Sequence, residues 1–180
     1  MKKHLLSLAV VTVYAAPMAA EPPAGYYSSI DGKAGNNLTS ALTGVVAAHT
    51  NVGYAGLYDV YEVADVREDG ITLWDMYSDC EFTIDDKTGS NAEVCGCYNR
   101  EHSLPKSWWG GSKATQYSDA YHVVPTDCRV NGQRSNYAFG ECANGVRLTS
   151  KARGKLGTST FSGYSGTVFE PDDEYKGDFA

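Results

Sequence analysis

Glu101 and His102 stand side by side in YNREHSLPKSWWGG (98–111), with Arg100 before them and Lys106 four residues on. A carboxylate holds a hard cation, and an imidazole accepts a proton close to neutral pH. Neighbours on a regular strand point to opposite faces. The pair therefore serves one small object only at a strand end. A second group lies in SDAYHVVPTDCRVNGQRSNYAFG (118–140). Asn131, Arg134 and Ser135 are three and four apart and share one face of a helix. That face has no apolar member, so it needs something polar to meet.

Phosphodiester hydrolysis asks for a base to deprotonate water, positive charge on the developing phosphorane, and cations that hold the backbone. His102 suits the first role. Glu101 and Asn131 offer hard oxygens of the kind that suit Mg²⁺. Arg134 and Arg100 are candidates for phosphate contacts, since a guanidinium grips two oxygens at once.

Those groups need a strand end and a helix start to meet. Apolar spacing predicts helices over 38–49 and 56–64. The runs 71–77 and 80–84 alternate and are aromatic, which predicts strands. A strand is expected over 94–102 and a shorter one over 120–124, stopped by Pro125. A helix follows over 129–137, capped by Thr126 or Asp127. The Gly/Ser/Thr-rich 154–166 reads as loop or hairpin. The expected fold class is α+β.

At 180 residues, 19 of them Gly and 13 Tyr, the chain fits one domain rich in turns and strands. Lys2 and Lys3, an apolar run over 5–16 and small residues at Ala15, Ala16, Ala19 and Ala20 read as an export signal over 1–20. The mature domain is then 21–180. No later apolar stretch is long enough to cross a bilayer, so no membrane partner is expected. In an exported chain Cys80, Cys95, Cys97, Cys128 and Cys142 should pair, with one thiol left over. Cys128 with Cys142 could staple the ends of the 129–137 helix, and Cys80 could close onto Cys95 or Cys97. A zinc site on Cys-Gly-Cys lacks a clear fourth ligand.

The net charge is −7, which argues against a polyanion partner along the whole surface. Residues 99–155 nevertheless hold nine Lys and Arg against four acids. That basic middle contains Glu101 and His102, which points to a local contact with an anion.

YNREHSLPKSWWGG, YHVVPTDCRVNGQRSNYAFGE and SGTVFEPDDEYKGDFA, in that order, resemble bacterial endonuclease I, and WDMYSDCEFT (74–83) also fits. The likeness runs from about Gly25 to Ala180. It implies a His-Me finger (ββα-metal) core with added helices and strands, stapled by disulfides. It implies a secreted or periplasmic, nonspecific, Mg²⁺-dependent nuclease, with Mn²⁺ or Ca²⁺ as other candidate ions. Its substrate is DNA, with RNA as an alternative, and no protein partner is inferred. Carried over, His102 is the general base and Glu101 a metal ligand. Asn131, at a fixed short distance after Pro125, is chosen as second ligand over Asn136. His122, Arg100, Asn136 and Lys106 are expected in the surrounding or substrate-binding set, and Arg134 in the catalytic set.

Two departures stand out. The chain stops at EYKGDFA, where relatives are expected to continue into another helix, so the domain reads as shortened. Cys128 and Cys142 stand where many relatives are expected to carry other residues. Bland readings run beside the sharp ones. His122, between Tyr121 and Val123, suits a hydrogen-bonded structural histidine. Trp108 and Trp109 suit packing a loop onto the core, or stacking on bases. The acidic run 170–174 suits a solvated loop. The rivals are an exported binding module with a decayed nuclease fold, and an RNA-directed enzyme on the same scaffold.

Overall fold

Leu57 and Tyr61 lie one helical turn apart and both are fully buried. They form the inner stripe of α2 (Gly53–Ala64), in a computed structural model that describes residues 22–47, 49–88 and 93–180. The helix begins three residues before the expected 56–64. Its start is set by Asn51, whose Oδ1 accepts from the Gly53 N–H at 2.7 Å. The expected export signal over 1–20 lies outside the described residues.

The chain divides into two compact units, Met1–Thr50 and Asn51–Ala180. The first carries α1 (Gly35–Ala47), close to the expected 38–49, and none of its residues is buried. The second unit holds the groups with chemical potential. Among the described residues no helix is long and apolar enough to cross a membrane.

In the second unit β1 (Tyr98–His102) pairs antiparallel with β2 (Val123–Asp127), placing Glu101 opposite Val124 and His102 opposite Val123. The expected second strand, 120–124, is shifted: it runs through Pro125, which faces Arg100. A two-stranded ribbon has only edges, and an edge strand tolerates a residue with no N–H to donate.

α3 (Cys128–Arg134) follows β2 directly. Asp127 caps it, as one of the two expected residues, with Oδ1 accepting from Arg129 N and Val130 N at 2.8 and 2.9 Å. The helix ends at Arg134 instead of Tyr137, because Ser135 turns the chain away with φ of 52°. Seven residues are too few to hold a helix in water alone, so α3 depends on its cap and on fully buried Val130.

A four-stranded sheet in the order β3-β6-β5-β4 closes the unit: β3 (Ala138–Phe139), β4 (Cys142–Val146), β5 (Lys155–Ser159) and β6 (Thr167–Glu170). The 154–166 stretch thus resolves into β5 and its turn toward β6. Gly154, at φ +126°, lies so close to the Phe169 ring that a Cβ there would sit 2.4 Å from it. Glu170, expected in a solvated acidic loop, is instead 5% exposed. Lys176 and Lys155 meet its carboxylate at 3.0 and 3.4 Å.

Two further expectations fail. Residues 71–77 and 80–84 are not strands. Asp69 Oδ1 accepts from Ile71 N and Thr72 N, Asp75 Oδ1 accepts from Tyr77 N, and only isolated bridges such as Val66 to Leu73 remain. Leu73, Asp75 and Tyr77 are buried while Trp74 is 48% exposed. The period-two pattern was real, but side-chain-closed turns replace a ladder. Cys128 and Cys142 do not pair either. The bridges are Cys80–Cys95 and Cys97–Cys128, with Cα atoms 5.2 and 5.6 Å apart, and Cys142 is the free thiol. With Cys95 and Cys97 both oxidised, the Cys-Gly-Cys zinc alternative is closed as well.

Two apolar clusters hold this framework. Leu57, Tyr61, Leu73, Phe82, Tyr98 and Val123 pack α2 against the ribbon. Tyr77, Val130, Ala152 and Phe169 pack α3 against the sheet.

Candidate active site

Glu101 and His102 are the last two residues of β1, and α3 crosses beside them. The expected strand end and helix start do meet, around a cavity of about 420 Å³ lined by Glu101, His102, Asn131 and Arg134. Arg100, Lys106, Asn136 and Ser135 also line it; His122 does not.

Glu101 is 3% exposed. Its Oε1 accepts from the Tyr77 hydroxyl and from Arg134 Nη1, both at 2.7 Å. Burial raises its carboxyl to about pKa 7, against the pull of the Arg134 guanidinium and the Tyr77 hydroxyl. Arg134 is 1% exposed and also donates from Nη1 to the His102 carbonyl at 2.8 Å and from Nη2 to the Ser103 carbonyl. Its guanidinium, read from sequence as a phosphate grip, is turned onto the protein.

His102 is 6% exposed. Nε2 lies 3.1 Å from the Tyr117 carbonyl. A carbonyl only accepts, so Nε2 carries the hydrogen and Nδ1 keeps the lone pair. The ring stacks on Tyr117 at 5.2 Å and Tyr54 at 5.8 Å, with Trp109 at 5.9 Å. Burial lowers its pKa to about 4, with the His122, Lys106 and Arg100 charges acting in the same direction. At neutral pH it is an uncharged imidazole whose Nδ1 has no partner among the described residues.

Asn131 Nδ2 donates to Asn99 Oδ1 at 2.8 Å. With its nitrogen engaged, the amide offers Oδ1. Glu101 and Asn131 thus present a carboxylate and an amide oxygen, a hard donor pair. Among the described residues no group of three or more His, Cys, Asp or Glu could hold a metal. The pair fits an ion such as Mg²⁺, which keeps waters and takes substrate oxygens beside one or two protein ligands.

Arg100 lies over the Tyr54 ring at 3.6 Å and the Tyr58 ring at 4.3 Å, with Nη1 on the Tyr54 carbonyl at 2.7 Å. Lys106 is exposed and lies 5.9 Å from the Tyr117 ring centroid. Asn136 is exposed just past α3. His122 donates from Nε2 to the Gln116 carbonyl at 2.8 Å and packs behind His102 at 6.0 Å between centroids. Trp109 packs on both histidines, while Trp108 is 55% exposed.

Sequence reasoning missed Tyr77, Tyr117 and Asn99. Tyr77 falls inside an expected strand, although WDMYSDC belongs to a stretch that carries the family resemblance. Tyr117 acts through its carbonyl as well as its ring, and a carbonyl contact leaves no side-chain signal.

A ribbon followed by a helix holds an uncharged imidazole beside two oxygen donors in a polar cavity. The chain belongs to the endonuclease I family, whose model matches residues 34–180. It is similar to an extracellular ribonuclease of Bacillus amyloliquefaciens, 32% identical over 159 residues, covering 86% of this chain and 50% of that protein. An extracellular ribonuclease of Bacillus subtilis (strain 168) is 33% identical over 160 residues, with the same coverage. The chain therefore spans about half the length of these curated relatives.

Proposed function

We propose that the chain is an exported, divalent-cation-dependent endonuclease that hydrolyses DNA without sequence preference. The observation that carries this is the setting of His102. Its Nε2–H is committed to the Tyr117 carbonyl, Nδ1 is left as acceptor, and burial keeps the ring neutral above about pH 4. Such a ring takes the proton of a water attacking phosphorus in line. Departure of the 3′ oxygen leaves 5′-phosphate ends.

Glu101 and Asn131 would hold Mg²⁺, with Mn²⁺ or Ca²⁺ as substitutes. When bound, the ion supplies positive charge for the phosphorane and the leaving oxygen. Arg134 holds Glu101 in place. Arg100, Lys106 and Asn136 meet the sugar-phosphate backbone from the cavity wall, and His122 supports the His102 ring. The antiparallel ribbon running into α3 supports reading the core as a His-Me finger. Two disulfides and the relatives' description as extracellular support export.

The relatives' names favour a second reading, in which RNA is the main substrate. Plasmid nicking and single-stranded RNA degradation, run side by side with Mg²⁺ and with EDTA, test both. Nicking that stops in EDTA and falls by ~10²–10⁴-fold in His102→Ala is expected. Full activity in EDTA or in His102→Ala overturns the mechanism. Degraded RNA with intact plasmid selects the second reading.

A further inference from the structure

Glu101 has two carboxylate oxygens, and both described side-chain donors fall on one of them. The Tyr77 hydroxyl and Arg134 Nη1 each reach Oε1 at 2.7 Å. Tyr77 is fully buried and comes from a loop 24 residues upstream. That loop is itself fixed: Asp75 Oδ1 accepts from Tyr77 N at 2.8 Å, and Asp75 Oδ2 accepts from Asp127 N at 3.1 Å. Asp127 caps α3, the helix that carries Asn131 and Arg134. One buried carboxyl therefore ties the Tyr77 backbone to the start of the helix bearing the second oxygen donor. The Tyr77 ring is held between Phe169 at 5.0 Å and Phe179 at 5.5 Å, so its hydroxyl has little freedom.

We propose that Tyr77 is a positioning residue for the cation site: together with Arg134 it occupies Oε1 of Glu101 and fixes the carboxylate plane, so that Oε2, which takes no side-chain donor among the described residues, can face the ion. This rests on the reading of Glu101 and Asn131 as ligands given above. Tyr77 touches neither ion nor substrate and acts through Glu101. Groups that orient a metal-binding carboxylate change affinity by about 10–100-fold when removed.

The test is Mn²⁺ titration calorimetry on the full chain, with no substrate present. Tyr77→Phe deletes one oxygen and keeps the ring. Mn²⁺ binding at least about tenfold weaker is expected, with near-UV circular dichroism of the metal-free protein unchanged. A second measurement needs no deletion: 3-fluorotyrosine at position 77 should show a ¹⁹F resonance that moves on adding Mg²⁺ and stays still in Glu101→Gln. Wild-type Mn²⁺ binding that is lost in Glu101→Gln but unchanged in Tyr77→Phe overturns the role of Tyr77 alone. So does a ¹⁹F signal indifferent to Mg²⁺. A wild-type chain that binds no Mn²⁺ overturns the ligand assignment and this inference together.

Discussion

Asp75 shows how one side chain sets both geometry and pH response. It is 1% exposed and accepts from Tyr77 N, Ser78 Oγ and Asp127 N. Burial raises its pKa to about 7 even so, and the nearby Asp127 carboxylate adds to the rise. An unfolded Asp titrates near ~3.9. Between these values the folded state holds a proton that the unfolded state has lost. This contribution to stability is complete below about pH 4 and disappears as pH rises through 7. Glu101 acts with the same sign. His102, lowered to about 4, has the opposite sign: its contribution is lost as pH falls from about 6.5 through 4. Urea melts from pH 4 to 8 on wild type and Asp75→Asn isolate the first group. The wild type should lose on the order of a few kcal/mol more than Asp75→Asn across that range. Parallel curves would show that Asp75 is ionised throughout.

At the level of elements, the site depends on a helix too short to stand alone. α3 is joined to the residue preceding β1 by Cys97–Cys128, so the bridge staples the strand bearing Glu101 and His102 to the helix bearing Asn131. The neighbouring bridge, Cys80–Cys95, places the Cys95 N–H 2.7 Å from Asp127 Oδ2 and so supports the same cap. The double variant Cys97→Ser/Cys128→Ser should lose about 2–4 kcal/mol of unfolding free energy, read from guanidinium melts. The nuclease activity proposed above should fall more steeply with temperature in this variant than in the wild type, because without the bridge α3 keeps only its cap and Val130. A variant as stable as wild type would mean that the cap and Val130 suffice.

Across the whole molecule, charge is partitioned rather than balanced. Nine Lys and Arg against four acids lie in 99–155, within a chain of net charge −7. Arg134 is consumed internally, and Arg147 and Arg153 pair with Asp172. The cations left at the cavity, Arg100 and Lys106, suit a short backbone contact, not a long groove. Cleavage in the subsaturating regime should fall with salt along a log–log slope set by only a few phosphates. That corresponds to about tenfold between 50 and 200 mM, well short of the 10³–10⁵ typical of six to ten contacts. Initial rates on linear duplex at graded KCl give the slope. A slope of six or more would require an extended surface that this reading lacks.

Several features were legible from residue types and short spacings. Glu101 next to His102, Asn131 three before Arg134, the Asp127 cap and the odd fifth thiol all follow from rules that act within a turn or two of chain. What decided the working site acts over far longer separations. Tyr77 and Arg134 meet Glu101 from 24 and 33 residues away, and Cys97 chooses Cys128 across 31. The alternation in 71–77 matches burial at Leu73 and Tyr77 but not at Ile71, which is 66% exposed. It could not tell a strand from turns closed by Asp69 and Asp75, because burial period and hydrogen-bond partner are separate properties. Likewise the sequence contained a guanidinium at Arg134, but only packing decided that it faces a buried carboxylate. A charge shut away from water must find its counter-charge, and which one lies within 3 Å is settled by how the ribbon and the helix cross.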